Sequence, residues 1–328
     1  MYTMYNNKTI LITGGTGSFG QSFIKFLLTN FKPKKIIIFS RDELKQFKMQ
    51  QELAAYNNIL RFFLGDIRDL SRLRMAFDGV DIVVHAAALK QVPALEYNPF
   101  EAIQTNILGT QNIVTAALDR EVGKILLIST DKAVSPVNLY GASKMCAEKL
   151  FISSNVYSKG NNTCLSVVRY GNVIGSRGSV IDTILNRKDN DPLHVTDNDM
   201  TRFWITLDQC FDLVSYAIKN MVGGEIFVPK VPSMKISDLF KALAPDKKIK
   251  VVGMRPGEKI HETLITQEEA IRTHDLGDYY VIIPHTPSTA HVLKYKLKKP
   301  LGKDFLYTSD LNKKWLTTKD IRKIAGLV

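Results

Sequence analysis

A glycine-rich turn near the beginning of the chain constrains the fold more strongly than any other feature. An apolar run at residues 9–13 is followed by Gly14, Gly17 and Gly20, and an amphipathic segment begins directly after them. A strand, a tight glycine turn and a helix in this order open a βαβ unit of a parallel sheet. Backbone N–H groups in such a turn can approach a pyrophosphate at the positive end of the helix. The sequence therefore predicts a parallel α/β fold with a dinucleotide site.

The first half of the chain alternates short apolar runs with longer amphipathic segments, as in a doubly wound parallel sheet buried on both faces. We expect strands at residues 9–13, 35–40, 60–64, 81–85, 124–129 and 165–168. After Arg169 this alternation gives way to loops, shorter helices near 207–221 and 236–244, and strands near 225–228 and 279–283. The predicted fold class is α/β, with a Rossmann sheet domain at 1–169 and a smaller, mixed, partly interleaved substrate lobe at 170–328.

One predicted helix lies between the fourth and fifth strands. Asn98 is a candidate N-cap, Pro99 suits the first helical position, and Glu101 could complete a capping box. Helical spacing of the apolar residues predicts one buried face, comprising Ile103, Ile107, Ile113, Val114 and Ala117.

The composition fits a globular protein of about two domains, because 45% of the 328 residues are hydrophobic. The longest apolar stretches are strand-sized and fall short of the roughly 18 residues that span a bilayer, so we expect no membrane segment. The first strand begins too early to leave room for a signal peptide. We therefore expect a cytoplasmic protein.

The net charge of +12 does not by itself indicate a nucleic-acid-binding protein. The Lys-rich stretch at residues 294–299 lacks a recognition helix or finger motif, so we interpret it as a solvated surface and expect no nucleic-acid partner. The charge can steer anionic substrates such as nucleotide sugars. Cys146, Cys164 and Cys210 are too few and too widely spaced for a disulfide framework or a zinc site, so we predict buried thiols and no metal.

The end of the second predicted strand bears on the choice of cofactor. An acid in this place binds the ribose hydroxyl of NAD, whereas Ser40 and Arg41 suit the 2′-phosphate of NADP. Arg41 favours NADP, while Asp42 keeps NAD open. After the third and fourth strands, Asp66 and Ile67 could meet the adenine, and Ala86 and Ala88 could let the cofactor lie close, although small residues at a strand end often only pack.

Tyr140 and Lys144 are four residues apart and therefore lie on one face of a helix. An ammonium in this position should favour the phenolate and lower the tyrosine pKa towards the working pH, which gives a base for a sugar hydroxyl. The Tyr-x-x-x-Lys pattern is common by chance. It becomes informative here because it follows the fifth strand of a glycine-turn domain.

The segment Ser129-Thr130-Asp131-Lys132 lies just before that tyrosine. A plain dehydrogenase uses a hydroxyl here but has no evident use for an adjacent carboxyl and amine, whereas elimination of water needs an acid and a base. Once C4 of a hexose is a ketone, Lys132 could remove the acidic C5 proton while protonated Asp131 gives a proton to the departing C6 hydroxyl. The alternative interpretation is a surface Asp–Lys pair.

These residues occur together with further motifs, in order, over residues 7 to about 262. The motifs are Ser40-Arg41-Asp42-Glu43-Leu44-Lys45, Arg169-Tyr170-Gly171-Asn172-Val173, Gly175-Ser176-Arg177-Gly178-Ser179-Val180, Met200-Thr201-Arg202-Phe203-Trp204-Ile205 and Arg255-Pro256-Gly257-Glu258-Lys259. The chain thereby resembles the inverting UDP-N-acetylglucosamine 4,6-dehydratases, which are extended short-chain dehydrogenase/reductases. Retaining dehydratases usually have glutamate after the aspartate, so Lys132 suggests the inverting branch.

The resemblance implies a redox-neutral cycle on tightly held NADP, in which Thr130 and Tyr140 serve C4 oxidation and Asp131 and Lys132 serve elimination. Reprotonation of C5 from the opposite face would give UDP-2-acetamido-2,6-dideoxy-β-L-arabino-hex-4-ulose, the first intermediate of pseudaminic acid biosynthesis, for flagellin or a surface polysaccharide. It also implies a homo-oligomer, a dimer or a hexamer. Cofactor contacts implied by the motifs further include Thr16, Ser18, Phe19, Glu43, Leu44, Lys45 and Lys90.

Loops bordering the same crevice supply candidate substrate residues. Lys90, Asn172, Arg177, Arg202 and Arg255 offer donors for the diphosphate and uridine, and the planar guanidinium fork suits phosphate oxygens. Glu258 could accept from a ribose hydroxyl. The remaining candidates in these loops are Ser176, Gly178 and Thr196.

Two other classes of function remain open. A 4-epimerase or a retaining 4,6-dehydratase would use the same scaffold but needs no lysine at position 132. A non-catalytic NADP-sensing protein would keep the glycine turn and should lose Tyr140 or Lys144. Measuring NADPH together with product separates these functions, because a dehydratase forms product with no net change in NADPH, whereas a sensing protein forms none.

Overall fold

The computed structural model describes residues 3–158, 163–175, 181, 184, 192–296 and 299–325. Its strands are β1 Thr9–Thr13, β2 Lys35–Ser40, β3 Leu60–Leu64, β4 Ile82–His85, β5 Lys124–Thr130, β6 Cys164–Tyr170, β7 Asn172–Val173, β8 Leu193–Val195, β9 Thr201–Ile205, β10 Ile226–Pro229, β11 Ser233–Lys235, β12 Ile249–Val251, β13 Thr263–Ile265, β14 Thr273–Asp275, β15 Tyr279–Ile282 and β16 Tyr307–Thr308. Nine of them form the central sheet, in the order β14-β15-β10-β6-β5-β4-β1-β2-β3.

The strands from β3 to β10 in this order run parallel, and β15 and β14 add an antiparallel edge. Every residue of β1 is buried, so both faces of the sheet are covered. Ile10 of β1 lies in register with Ile36 of β2 and Ile82 of β4, and these β-branched side chains suit a pleated, buried surface. The predicted doubly wound parallel sheet and its six first strands are confirmed.

The helices are α1 Ser18–Asn30, α2 Glu43–Glu52, α3 Leu70–Ala76, α4 Val92–Tyr97, α5 Pro99–Ala102, α6 Gly109–Asp119, α7 Leu139–Ser153, α8 Leu207–Asn220, α9 Ile236–Leu243, α10 Gln267–Ala270, α11 Thr289–Tyr295 and α12 Thr318–Ile324. Helices α3, α6 and α7 pack side by side, and α1 packs against α8. At the latter contact Phe211 lies within 5.1–5.8 Å of the rings of Phe19, Phe23 and Phe26. The helices thus bury the sheet from which the site residues project.

The predicted helix after Asn98 is interrupted. A π-helical turn at Ile103–Leu108 separates α5 from α6. Asn98 makes no side-chain cap bond and donates instead to the carbonyl of Ala94 at 2.8 Å, and Glu101 pairs with Arg68 at 3.0 Å. The capping prediction was wrong because both side chains have nearer partners.

The same turn shifts which residues of this segment are buried. Ile103 is 38% exposed and Ile107 is partly exposed, whereas Thr105 and Asn106 are buried. The predicted apolar face holds only from Ile113 onwards. The extra residue in the π-helical turn rotates the preceding part of the helix relative to α6, and such turns are frequent at functional sites.

The C-terminal half supplies two kinds of structure. Strands β10, β14 and β15 extend the central sheet, while β11, β9 and β7 form a separate three-stranded sheet. Met200, Trp204, Leu239 and Phe240 belong to a second apolar core, apart from the one that surrounds the large sheet. The division at residues 169 and 170 stays a prediction, and this interleaving is consistent with it.

Two smaller expectations can be compared with the described residues. Of the three free cysteines, Cys210 is buried, but Cys146 and Cys164 are partly exposed, so the prediction of three buried thiols was wrong. Among the described helices, none combines the length and the hydropathy that crossing a bilayer requires.

Candidate active site

A cleft of about 970 Å³ opens at the carboxyl edge of the parallel strands. Its walls combine the segments that follow β1 to β6 with residues of β7 and β9 from the C-terminal half. Ligands of open α/β sheets bind at this edge. The cleft therefore lies where the sequence placed both the dinucleotide and the reacting site.

The glycine turn forms one end of the cleft, and all six predicted residues of this turn line it: Gly14, Thr16, Gly17, Ser18, Phe19 and Gly20. Gly14 has φ +66°, and a Cβ there would lie 2.9 Å from the backbone of Ala87. A Cβ on Gly20 would lie 2.6 Å from Gly15, so only glycine allows α1 to approach the strand this closely. Gly17 is the N-cap of α1 and has no side chain to cap the first-turn N–H groups, which fits a pyrophosphate.

The end of β2 holds a cation at the cleft. Arg41 is half exposed, and its Nη1 lies 3.6 Å from Asp66 Oδ2. Asp42 caps α2 by accepting from the Lys45 N–H at 2.9 Å, and Lys45 Nζ lies 2.9 Å from its second oxygen. These bonds from Lys45 lower the pKa of Asp42. The carboxylate of Asp42, on which the alternative of NAD depended, is thus bonded to Lys45 at the start of α2.

The other predicted cofactor residues divide into two groups. Glu43 and Leu44 begin α2 outside the cleft walls, and Leu44 is 60% exposed, so their implied cofactor contacts are not supported. The residues that do line the cleft are Ser40, Arg41, Asp42, Lys45, Asp66, Ile67, Ala86, Ala88, Lys90, Tyr140 and Lys144.

Helix α7 carries Tyr140 and Lys144 into the cleft. Asn138 caps the helix by accepting from Gly141 N–H at 2.8 Å, and Lys144 donates to the Ile128 carbonyl of β5 at 2.8 Å. Burial lowers the pKa of Lys144 to about 8 although Glu148 opposes this. The amine is therefore partly neutral near physiological pH.

The pKa of Tyr140 differs from the expectation. Burial raises it, the charge of Lys132 and a hydrogen bond with Thr130 lower it, and Asp131 raises it further, with a net increase. The prediction that Lys144 depresses this pKa was wrong, because burial dominates and Lys132 is the cation that opposes it. Lys132 is thus coupled to Tyr140 as well as to Asp131.

Asp131 and Lys132 form the first turn after β5. Asp131 is fully buried, and its Oδ1 accepts from Thr130 Oγ1 at 2.9 Å and from Lys132 Nζ at 3.1 Å. Its Oδ2 has no hydrogen-bond partner among the described residues. A Cβ on Gly171 would lie 3.3 Å from Oδ2, so the glycine leaves this oxygen beside the cleft wall. A surface Asp–Lys pair is excluded by this burial.

Buried polar contacts hold these catalytic candidates in place. Asn106, in the π-helical turn, accepts from the N–H of Leu89 and donates to its carbonyl. It also donates to Ser143 Oγ of α7 at 3.0 Å. On the far side of α7, Arg169 pairs with Glu148 at 2.6 Å and with Glu269 at 2.9 Å. Helix α7 is therefore fixed from both directions relative to β5.

The predicted substrate residues are only partly brought together. Lys90 and Asn172 line the cleft. Arg202 does not, because its guanidinium turns inward to the carbonyls of Thr201, Lys259 and Ile260, so its role as a phosphate donor stays a prediction that this geometry does not support. Ser176, Arg177 and Gly178 lie outside the described residues.

Thr196, Arg255 and Glu258 form a cluster of their own. Thr196 donates to Glu258 Oε2 at 2.9 Å, and Arg255 lies 4.0 Å from Glu258 Oε1. None of the three belongs to the cleft walls formed by the described residues. Their assignment to the substrate stays a prediction.

Three polar residues of this region were missed by the sequence reasoning. Thr105 Oγ1 and Trp204 Nε1 are buried in the cleft wall without a hydrogen-bond partner among the described residues. Glu262 is buried beside Lys132, with Oε1 3.4 Å from Nζ. Trp204 lies within the motif at residues 200–205, and Glu262 follows the motif at residues 255–259 by three residues. Thr105 had no sequence signal, because the π-helical turn was not predicted.

Comparison with known proteins agrees with this geometry. The profile of a polysaccharide biosynthesis protein family matches residues 10–284. A Campylobacter jejuni protein named UDP-N-acetylglucosamine 4,6-dehydratase (inverting) is 47% identical, over 98% of both chains. A Rickettsia canadensis protein named UDP-glucose 4-epimerase is 46% identical, over 85% of this chain and 84% of its own.

The X-ray structure of Pen from Bacillus thuringiensis superposes with a TM-score of 0.89 at 38% identity, covering 99% of this chain and 98% of its own. DesIV from Streptomyces venezuelae, a dTDP-glucose 4,6-dehydratase, has a TM-score of 0.68 at 23% identity and covers 77% of this chain and 86% of its own, which shows the shared fold. From the profile match and the near full-length identity, the chain belongs to the polysaccharide biosynthesis protein family, together with the inverting UDP-N-acetylglucosamine 4,6-dehydratases.

Proposed function

We propose that this chain is an NADP-dependent UDP-N-acetylglucosamine 4,6-dehydratase that inverts C5. The observation that carries the proposal is the hydrogen bond between Asp131, which is fully buried, and Lys132, which lines the cleft together with Tyr140. A relative with this printed name is 47% identical over nearly the whole length. Elimination of water requires an acid and a base at neighbouring carbons, and this pair supplies both.

The cleft also fits a nicotinamide dinucleotide. The close glycine turn, the uncapped N-terminus of α1 and the hydroxyl of Ser129, for which the described part of the chain offers no hydrogen-bond partner, suit the pyrophosphate and a ligand beyond it. A cofactor held there would supply the acceptor for a hydride from C4 of the sugar and the donor for its return to C6. We assign Tyr140 to accept the proton of the C4 hydroxyl and Thr130, which donates to Asp131 Oδ1, to contact that hydroxyl.

The protonation of the Asp131–Lys132 pair determines the elimination step. Burial favours the neutral amine, but Asp131 and Glu262 outweigh it and raise the pKa of Lys132. Transfer of one proton across the 3.1 Å contact converts the ion pair into a neutral amine and a neutral carboxyl. Lys132 then takes the C5 proton, Asp131 protonates the C6 oxygen, and water leaves, so the pair returns to its charged form.

The preference for NADP rests on Arg41, because Asp42 is bonded to Lys45 and α2. Arg41→Ala should weaken NADP binding by about 10- to 100-fold, the effect of losing a charge-assisted bond. The Kd for NAD, which lacks the 2′-phosphate, should change by less than about threefold in the same titration calorimetry. An equal loss for both cofactors would assign Arg41 a structural role.

The finer assignments follow from the same proposal. The product would be the 4-keto-6-deoxy-L-arabino sugar nucleotide that begins pseudaminic acid biosynthesis, for a glycosylated flagellin or a surface polysaccharide. We place the protein in a homo-oligomer, supported by Tyr97 and Phe100, which are 87% and 79% exposed next to each other at the α4–α5 junction. Sedimentation of the purified protein tests the assembly.

A 4-epimerase is the second candidate, because relatives named UDP-glucose 4-epimerase are 43–46% identical. Epimerisation at C4 needs the tyrosine base and the cofactor but leaves the C5 and C6 bonds intact. A buried acid–base pair at the position of Asp131 and Lys132 would then have no use. This favours the dehydratase.

The decisive experiment follows the sugar by NMR in deuterium oxide, with UDP-N-acetylglucosamine and no added cofactor. We expect loss of the C6 hydroxyl, one deuterium at C5 and the L-arabino configuration. Exchange at C5 with the D configuration would indicate a retaining enzyme, and a changed C4 centre with C6 intact an epimerase. An unchanged sugar, with NADP shown to be bound, would refute the proposed UDP-N-acetylglucosamine dehydratase.

A further inference from the structure

Lys132 is contacted by a second carboxylate, from outside its own segment. Glu262 lies just before β13, its side chain is 3% exposed, and its Oε1 is 3.4 Å from Lys132 Nζ. The same oxygen is 3.7 Å from Arg202 Nε, and Oε2 is 3.8 Å from Lys259 Nζ. A buried carboxylate thus stands among three cations, of which Lys132 alone lines the cleft.

Every group of this cluster other than Lys132 is anchored to the backbone. Glu262 donates its N–H to Ser309 Oγ at 2.9 Å and accepts from the Ser309 N–H at 2.8 Å. Arg202 is held by the carbonyls of Lys259 and Ile260, and Lys259 donates to the Val134 carbonyl at 2.6 Å. The backbone of Glu262 is therefore fixed, and its carboxylate, whose Oε2 has no hydrogen-bond partner among the described residues, is held by the contacts with the three cations. The amine of Lys132 is the group of this cluster that can move towards the cleft.

We propose that Glu262 is a positioning residue that anchors the amine of Lys132 at the cleft wall and holds the proton on it between elimination and reprotonation of C5. This inference rests on the proposed dehydratase function. The proton balance is closed: the C5–H bond breaks and an N–H bond forms on Lys132 while Asp131 gives its proton to the departing oxygen. C5 later gains a proton on its opposite face, matched by the proton that Tyr140 took from the C4 hydroxyl, so the ion pair and Tyr140 return to their starting forms. In that interval the ammonium faces Glu262 on one side and Asp131 on the other.

The charges around Lys132 give the direction of the effect. Asp131 and Glu262 raise its pKa, while burial and Arg202 lower it; Lys259 and the hydroxyl of Tyr140 also face it. Glu262→Gln keeps the shape of the side chain but removes one of the two anions. The cations Arg202 and Lys259 remain, so the ammonium form of Lys132 becomes less stable and its pKa falls.

The test compares Glu262→Gln, Glu262→Asp and the surface control Glu268→Gln with the unmodified protein. We expect Glu262→Gln to lower kcat by about 10- to 100-fold through misplacement of the amine, with KM changed less than about threefold. The acidic limb of the pH profile of kcat should move to lower pH. Glu262→Asp, which keeps the charge, should retain the original limb, and Glu268→Gln should match the unmodified protein.

A second readout does not require turnover. Lysines are labelled by reductive 13C-methylation, the Lys132 resonance is identified by its absence in Lys132→Met, and its titration is followed by NMR. In the unmodified protein the resonance should stay in the ammonium form across the accessible alkaline range, because the two carboxylates raise the pKa of Lys132, whereas in Glu262→Gln it should begin to titrate there. This onset supports the inference even if UDP-N-acetylglucosamine is not the substrate, in which case only the proposed function fails. An unshifted titration, or an effect confined to KM, overturns the inference. If Glu262→Gln does not fold, Glu262→Asp decides: a shift of the acidic limb of its kcat profile also overturns the inference, because this variant keeps the charge.

Discussion

The amine of Lys132 lies 3.1 Å from Asp131 Oδ1, so the candidate base and the candidate acid of the elimination share one hydrogen bond. Asp131 is fully buried, while 28% of the Lys132 side chain is exposed, towards the cleft. This arrangement links the protonation of the two groups, because a proton transferred along the hydrogen bond neutralises both. Their role is best tested at the lysine, because replacing Lys132 leaves the fully buried side chain of Asp131 in place.

Lys132→Met is expected to lower dehydratase turnover by about 10²-fold or more, because proton transfer by a positioned side chain contributes factors of this size. The cofactor should stay bound, since the glycine turn is untouched. Product formation is measured by NMR, and cofactor content by absorbance after denaturation. Lys34→Met, at an exposed position, is the control. Turnover within about threefold of the unmodified protein would show that another group removes the C5 proton.

Asp42→Ala should reduce stability without affecting the choice of cofactor. The Asp42 side chain caps α2, and an alanine leaves the Lys45 N–H without its acceptor. We expect the Tm to fall by a few degrees while the Kd values for NADP and NAD stay within about twofold. Asp42→Asn, which preserves a capping oxygen, should behave like the unmodified protein. A selective loss of NAD binding would instead place this carboxylate on the ribose.

The parallel sheet was predictable because its signal is local. Runs such as Ile36-Ile37-Ile38 must be buried on both faces, and a glycine turn after the first strand leaves few topologies open. Thr130, Lys132, Tyr140 and Lys144 were found for the same reason, since each follows a strand end or shares a helix face. Local patterns thus specify both the scaffold and the centre of the site.

The failures have a common physical cause in side chains whose partners are distant in sequence. Arg202 was assigned to phosphate, but its guanidinium donates to the carbonyls of residues 259 and 260. Glu262 was passed over because its importance comes from Lys132, which is remote in the chain. The π-helical turn at Ile103–Leu108 is too short for the spacing of its apolar residues to distinguish it from an α-helix. The pairing of Glu262 with Lys132 joins two distant parts of the chain and became visible only in the folded structure.

The pKa of Lys144 predicts a pH dependence of stability. Burial lowers this pKa from 10.5 to about 8, so between these values the unfolded chain binds a proton that the folded chain has released. Stability contributed by Lys144 therefore rises with pH across this window, by up to roughly 1.4 kcal/mol per pH unit, and is constant below it. Urea unfolding of the unmodified protein and of Lys144→Met from pH 7 to 10 measures the difference. A constant difference across this range would contradict the lowered pKa.

Gly141 connects the stability of α7 to the geometry of the site. A Cβ at this position would overlap the carbonyl oxygen of Lys132 and lie 3.0 Å from Pro136 Cβ, so glycine permits the contact between α7 and the Asp131–Ala133 turn. Gly141→Ala gains about 1 kcal/mol of helix propensity, but the overlap with backbone must separate the two elements. We expect a lower Tm and a kcat reduced by about 10²-fold, since a displacement near 1 Å has this cost.

Gly302→Ala is the matched control for this substitution, because a Cβ there meets no atom within 4 Å. It should leave both the Tm and the kcat unchanged. If Gly141→Ala raised the Tm and retained the kcat, helix propensity would outweigh the overlap, and α7 would be free to move away from Lys132. The close approach of Tyr140 to the Asp131–Lys132 pair would then be unnecessary for the reaction, and oxidation at C4 and elimination across C5 and C6 could proceed without a shared, rigid set of side chains.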